Sequence, residues 1–272
     1  MSSPGNVAKI DHLMSSARDL PVPSAGVSLR YLICSTARCG SNLVGDFLHG
    51  TGLAGDPLEY LNGRFIAGFL RSQGLPPAHR LDVQQYLASM EQRRTSPNGC
   101  FGMKMHFEHL QALFARDFSQ APAFLSRFHK LIVLRRKDKL AQAVSLHRAR
   151  VTQLWTSEDA RFLPADDPRL HRPVPFDAPA LARALHDIVA QEQGWEQTLK
   201  QAGLPFSVFW YEDFVADRLA AGTALLQALG LPCDGAVIPA VAGVRRQGSD
   251  DDPMLSAWRG YLGCPARTGE GS

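Results

Sequence analysis

Four short apolar runs recur along this chain, and helical spacing separates each from the next. They are Leu29–Cys34 (LRYLIC), Cys100–Met105 (CFGMKM), Lys130–Leu134 (KLIVL) and Phe206–Trp210 (FSVFW). Runs this short and this evenly apolar fit strands buried on both faces. Helices are predicted over Leu43–His49, over Pro76–Arg94 opened by Pro77, over Leu110–Phe128 with a break near Pro122, and over Asp138–Gln153. Further helices are expected at Leu181–Gln201, Ala220–Leu229 and Met254–Tyr261, with Leu163–Pro179 a loop. Strands alternating with helices imply right-handed crossovers and a parallel sheet flanked by helices, the α/β class. Ligands of such sheets sit at the C-terminal edge of the strands. The segments that matter most are therefore Ser35–Asn42, Lys104–His106, Arg135–Asp138 and Tyr211–Asp213.

The 272 residues suit one large domain, at roughly 150 residues per domain. Residues 1–28, with Ser, Pro, Gly and weak periodicity, read as a mobile N-terminal arm, and 29–272 as a single domain. With 29 Lys+Arg against 26 Asp+Glu, the formal charge of +3 argues for no nucleic-acid surface. The lysines are Lys9, Lys104, Lys130, Lys137, Lys139 and Lys200, so most of the positive charge is arginine. The fixed guanidinium fork suits oxyanions, although high-GC coding produces the same bias. No run approaches the ~18 apolar residues of a membrane helix, and the N-terminus MSSPGNVAKIDHLMSS lacks a signal-peptide core. The five cysteines are irregularly spaced, without a CxxC pair, and support neither a zinc site nor a disulfide framework. The cytoplasm is the expected compartment.

The loop after the first strand, Ser35-Thr36-Ala37-Arg38-Cys39-Gly40-Ser41-Asn42, joins a strand to a helix through small residues. Backbone amides and the helix N-terminus there form an anion site, with Arg38 supplying full charge and Ser41 and Asn42 side-chain donors. A plain cap by Ser41 or Asn42 is the other reading. The GxxxxGK[ST] pattern of a Walker A loop is missing.

YLICSTARCGSN, LAGDPLEYL, KLIVLRRKDKLAQAVSLHRA and VFWYEDF together resemble the sulfotransferases that use 3′-phosphoadenosine-5′-phosphosulfate (PAPS), closest to their bacterial Stf0-type branch. The resemblance runs from about Tyr31 to Tyr261 and implies an α/β fold related to P-loop kinases. It implies that Arg38, Cys39, Gly40, Ser41 and Asn42 surround the 5′-phosphosulfate, with Arg38 beside the bridging oxygen. It further implies that Arg136 and Ser145 hold the 3′-phosphate, that Tyr211 lies against the adenine, and that Arg246-Gln247-Gly248 closes over the 3′-phosphate. A solvated Arg135-Arg136-Lys137 cluster, a buried structural Tyr211 and a plain surface loop at Gly243–Pro253 are the competing readings.

Glu59 matches the glutamate proposed as general base in that branch. His106, in Lys104-Met105-His106, resembles the histidine base of cytosolic relatives, and Lys104 could hold the sulfuryl group. A sulfuryl group carries one negative charge where a phosphoryl group carries two, so no metal is expected, in contrast with phosphoryl transfer. The expected activity is transfer to a hydroxyl of a carbohydrate or glycolipid, trehalose being the best-known acceptor of the branch. Residues 60–98 and 155–180 would shape the acceptor pocket, and the branch also implies a homodimer. Two rivals are a P-loop-like small-molecule kinase, which needs the missing GK[ST] loop and Mg²⁺ ligands, and a non-catalytic nucleotide-binding module.

Overall fold

The computed structural model describes residues 4–23, 26–156, 158–233 and 252–263. Its strands are β1 (Leu29–Ser35), β2 (Cys100–His106), β3 (Lys130–Arg135) and β4 (Ser207–Trp210), all parallel, in the order β2-β1-β3-β4. The sheet is flanked by helices, as the alternation predicts. Side chains of β1 and β3 alternate between two cores. Leu32, Cys34, Leu131 and Val133 pack on one face of the sheet, and Tyr31, Ile33, Ile132 and Leu134 on the other. Burial on both faces is why these strands read as continuous apolar runs.

After β1 the chain enters α2 (Ser41–Gly50), whose Val44, Phe47 and Leu48 cover one face. After β3 it enters α7 (Lys139–Thr152) and then α8 (Ala178–Gln201), whose Trp195 and Leu199 cover the opposite face. Connections leaving adjacent strands towards opposite faces open a crevice at their C-terminal ends. That crevice lies between Ser35 and Arg135.

Four expectations need correction. The segment read as a mobile arm forms α1 (Pro4–Met14) and a 3₁₀ turn at Ser16–Arg18. Ile10 and Met14 are buried in the main core, and Met14 is fully enclosed. Apolar residues four apart supply a docking stripe that the Ser- and Gly-rich flanks obscure. The helix expected from Pro76 starts at α4 (Val83–Arg94), because Asp82 accepts the N–H groups of Gln84 (2.8 Å) and Gln85 (3.1 Å) as its cap. An unforeseen helix, α3 (Gly63–Ser72), is capped by Asn62, which accepts from the Arg64 N–H at 3.0 Å. The stretch 110–128 breaks into α5 (Phe107–Leu113), a 3₁₀ turn at Phe118–Gln120 and α6 (Ala121–Leu125), the cap of Asp117 on Ser119 separating them. Beyond β4 lie α9 (Tyr211–Ala216), α10 (Arg218–Leu229) and α11 (Pro253–Tyr261). Among the described residues no helix is long and apolar enough to cross a membrane.

The stretch Asp56–Glu59 runs beside β2. Leu58 forms a parallel bridge to Met103, and its carbonyl accepts the Lys104 N–H at 2.9 Å. Asp56 anchors the stretch. Its buried carboxylate accepts from Arg18 at 3.0 and 2.6 Å and from the fully enclosed Arg94 at 3.3 Å. Asp56→Ala leaves both guanidinia without this carboxylate and is expected to destabilise the fold by about 3–5 kcal/mol, read by urea denaturation.

Candidate active site

The loop Thr36–Gly40 leaves β1 in a conformation set by two left-handed residues, Arg38 (φ 65°) and Gly40 (φ 94°). Gly40 is the N-cap of α2, and no side chain caps that helix. The plain-cap reading of Ser41 or Asn42 therefore fails. Ser41 is the first helical residue, and the Asn42 side chain instead accepts from Lys104 Nζ at 2.5 Å. The first turn of α2 begins at this loop, and a helix N-terminus favours negative charge. Gln142 on α7 fixes the loop from beneath, donating to Thr36 Oγ1 (2.9 Å) and the Ala37 carbonyl (2.8 Å). The Cys39 side chain points into the core, where burial pushes its thiol up to about 11, so it offers a ligand no side chain.

Gly40 also has no room for a side chain. A Cβ there would stand 2.3 Å from Cδ2 of Tyr211, whose ring lies against the glycine. The Arg136 guanidinium lies over that ring, 4.9 Å from its centroid. Tyr211 thus joins the loop after β1 to the turn after β3. Gly40→Ala should displace the ring and strain the left-handed backbone, and is expected to destabilise the fold by about 1–3 kcal/mol, read by urea denaturation.

The turn after β3 separates the two neighbouring arginines. Arg135 donates to Glu196 at 2.7 Å on α8, whereas Arg136 is buried beside Tyr211. Glu212, which no sequence signal singled out beyond its place in the YED segment, accepts the N–H groups of Lys137 (2.9 and 2.8 Å) and Asp138 (3.1 Å) and fixes this turn. Asp138 caps α7 and accepts from Arg259 of α11 at 2.9 Å. One turn into α7 and beyond, Ser145 is buried and accepts from Arg38 Nε at 2.9 Å, while Arg38 also donates to the Trp155 carbonyl. Burial first, and the neighbouring Arg136 next, draw Arg38 below the usual guanidinium value. Two mutually repelling cations, Arg136 buried and Arg38 half-buried, favour an anion beside them. Arg246, Gln247 and Gly248 lie outside the described residues.

A second group of titratable side chains gathers at the end of β2. Lys104 is 3% exposed, and its ammonium is drawn below its usual value by burial, against the pull of Glu59, Asp46 and Asp56. His106 Nε2 is 3.6 Å from Glu59 Oε1, and Asn62 donates to Glu59 Oε2 at 3.0 Å. Burial alone would raise the Glu59 carboxyl, but His106, Lys104, His109 and the Asn62 hydrogen bond outweigh it and hold the group at about 2. Burial would lower His106; Glu59 and Glu108 outweigh it, and the imidazole is raised above its ordinary value. His109, a residue the sequence reading passed over, stacks on His106 with ring centroids 5.1 Å apart and planes at 12°. Potential ligand atoms of Glu59, His106 and His109 lie within 4.8 Å of one another.

The fold therefore brings Arg38, Gly40, Ser41, Arg136, Ser145 and Tyr211 together at one crevice. Lys104 ties the Glu59–His106 pair to it through Asn42. The profile of the Stf0 sulphotransferase family matches residues 30–253, which includes both clusters. The chain belongs to the Stf0 sulfotransferase family. Among relatives, trehalose 2-sulfotransferase of Mycobacterium tuberculosis (strain Erdman) is 25% identical over 258 residues, covering 81% of this chain and 91% of that protein. The trehalose 2-sulfotransferase of Mycolicibacterium smegmatis is 24% identical over 225 residues, covering 66% of this chain and 78% of its own length. Two solved structures align with this Stf0 family member at low similarity. A sulfotransferase from Alicyclobacillus acidocaldarius has TM-score 0.45 and 13% identity, covering 88% of this chain and 97% of its own. The sulfotransferase domain from the curacin biosynthetic pathway has TM-score 0.48 and 17% identity, covering 82% and 81%.

Proposed function

We propose that this family member transfers the sulfuryl group of PAPS to a hydroxyl of a carbohydrate or glycolipid, with trehalose as the first acceptor to try. The observation that carries the donor assignment is a pair of neighbouring cations beside the N-terminus of α2: half-buried Arg38, which donates to Ser145, and buried Arg136, which lies over Tyr211. Such a pocket suits a small polyanion. In this reading Arg136 and Ser145 hold the 3′-phosphate, with Arg246-Gln247-Gly248 closing over it, and Tyr211 lies against the adenine. The amides of residues 39–42 and the Ser41 hydroxyl surround the 5′-phosphosulfate.

The acceptor hydroxyl attacks sulfur in line with the bridging oxygen. A new oxygen–sulfur bond forms as the bond to the 5′-phosphate breaks, and its electron pair goes to the phosphate oxygen. Arg38 stabilises that developing charge. Lys104 steadies the sulfuryl oxygens, and Glu59 takes the hydroxyl proton. The products are a sulfate ester and adenosine 3′,5′-bisphosphate, and no step involves a metal. A second reading, with His106 as the base and Glu59 orienting it, is favoured by one observation: a carboxyl held at about 2 is the weaker proton acceptor. On the strength of the resemblance alone, the proposal extends to a homodimer.

Calorimetry tests the donor assignment. Adenosine 3′,5′-bisphosphate should bind, and Arg136→Ala should weaken it about 100-fold, the loss of a charge-assisted contact of some 3 kcal/mol. Tight Mg-ATP binding with no affinity for the bisphosphate would overturn the reading in favour of a kinase. A labelled-PAPS assay over a panel of sugars then identifies the acceptor.

A further inference from the structure

The N-terminal helix reaches the crevice through one ion pair. Lys9 on α1 places Nζ 2.7 Å from Asp159 Oδ1 and also donates to the Thr156 hydroxyl. Asp159 is 3% exposed, and its other oxygen accepts the N–H groups of Trp155 at 2.5 Å and Thr156 at 3.0 Å. The Thr156 hydroxyl donates to Asp159 Oδ1 at 2.7 Å. Both amides of this short stretch are thus captured by one carboxylate, which fixes the peptide planes around Trp155. The Trp155 carbonyl is left directed at the Arg38 guanidinium, whose Nε bonds Ser145 on the opposite side. Across the Trp155 indole lies Arg64 of α3, 5.1 Å from the ring centroid, two residues after the Asn62 that holds Glu59.

Arg38 sits in a left-handed backbone conformation and has a flexible side chain, so its loop alone does not determine where its charge points. The carbonyl of Trp155 and the hydroxyl of Ser145 do. Asp159 also attracts Arg38 electrostatically. Without Lys9 the Asp159 charge would be less neutralised, and it would compete for the same guanidinium.

We propose that Lys9 and Asp159 are a positioning pair for Arg38, holding the Trp155 carbonyl so that the guanidinium stays aimed at the leaving group's oxygen. The inference rests on Arg38 acting at that oxygen. It makes the N-terminal helix a part of the transfer machinery, acting on Arg38 through Asp159 and the Trp155 carbonyl.

The test is a double-mutant cycle on the full chain, with the acceptor chosen from the sugar panel. Lys9→Met should lower kcat about tenfold, while the donor KM and the affinity for adenosine 3′,5′-bisphosphate change less than threefold. Lys9→Arg should restore kcat to within about twofold. In an Arg38→Gly background, Lys9→Met should cost less than twofold more. Hydrogen exchange should rise across residues 36–40 in Lys9→Met. An unchanged kcat, or the same tenfold loss in both backgrounds, overturns the proposal. Should Lys9→Met fail to fold, Thr156→Val, which removes one of the two Lys9 partners, carries the same cycle. If Arg38→Gly itself keeps full turnover, the leaving-group role fails, and the exchange measurement then decides the positioning separately: unchanged exchange across 36–40 overturns it.

Discussion

Glu59→Gln is expected to lower turnover about 10³-fold with little change in donor affinity, within the range general acid–base groups supply. The substitution keeps the side chain's length and leaves an oxygen that can still accept from Asn62. It removes the charge that His106 and Lys104 act upon. A carboxyl at about 2 is a weak base for an alcohol in its ground state. In a loose transition state of the phosphoryl-transfer kind, the proton leaves late, once the bond to sulfur has made the oxygen strongly acidic, and a weakly basic carboxylate then suffices. His106→Asn should cost only about tenfold by comparison, through loss of the imidazole 3.6 Å from Glu59.

The pH profile separates the two bases. Glu59 faces His106, Lys104 and His109; His106 faces Glu59, Glu108, His109 and Lys104. Because the folded-state value of Glu59 lies below the ordinary one of about 4.3, its stabilising contribution is complete above that pH. That contribution is lost as pH falls towards 2. With Glu59 as base, kcat/KM is therefore flat through the weakly acid and neutral range. With His106 as base it would fall below an apparent pKa above about 6.5, the ordinary imidazole value. An acid limb there, together with a larger loss in His106→Asn than in Glu59→Gln, would transfer the role to the histidine.

Arg38→Gly should cost about 10²–10³-fold in turnover, the amount lost when a donor to developing negative charge is removed. Its effect on stability should be small. Arg38 carries a left-handed backbone that glycine adopts freely, and its half-buried charge is repelled by Arg136. Relief of that strain, worth about 1 kcal/mol or more, offsets the lost bonds to Ser145 and Trp155. The midpoint of thermal unfolding should thus stay near that of the unsubstituted chain while kcat collapses. A large drop in both would mean that Arg38 is chiefly structural.

Several elements of this design are legible in the sequence. The strands were: β1, β2 and β3 because burial on both faces leaves unbroken apolar runs such as LRYLIC and KLIVL, and β4 through FSVFW, although Ser207 and Val208 are exposed at the edge of the sheet and not buried on both faces. The loop after β1 was, because small residues between a strand and a helix have few other uses. The docked N-terminal helix was not, since Ile10 and Met14 identify a face only once α3 exists to receive it. Nor was the choice between Arg135 and Arg136, two residues of the same chemistry whose directions depend on Glu196 and Tyr211, more than 60 positions away.

By itself, the sequence determined the α/β class, the parallel strands, the segments at their C-terminal edge and a family resemblance that locates the basic residues. These are local properties: periodicity of two or 3.6, turn chemistry and motif spacing are all written within a few residues. Tertiary structure decided which groups meet. Glu59 comes to His106 because a buried Asp56, gripped by Arg18 and Arg94, holds its stretch against β2. Arg38 comes to Ser145 and Trp155 across more than 100 residues of chain. Such contacts depend on packing over long loops, and the amino-acid order near each residue contains no record of the partner it will find.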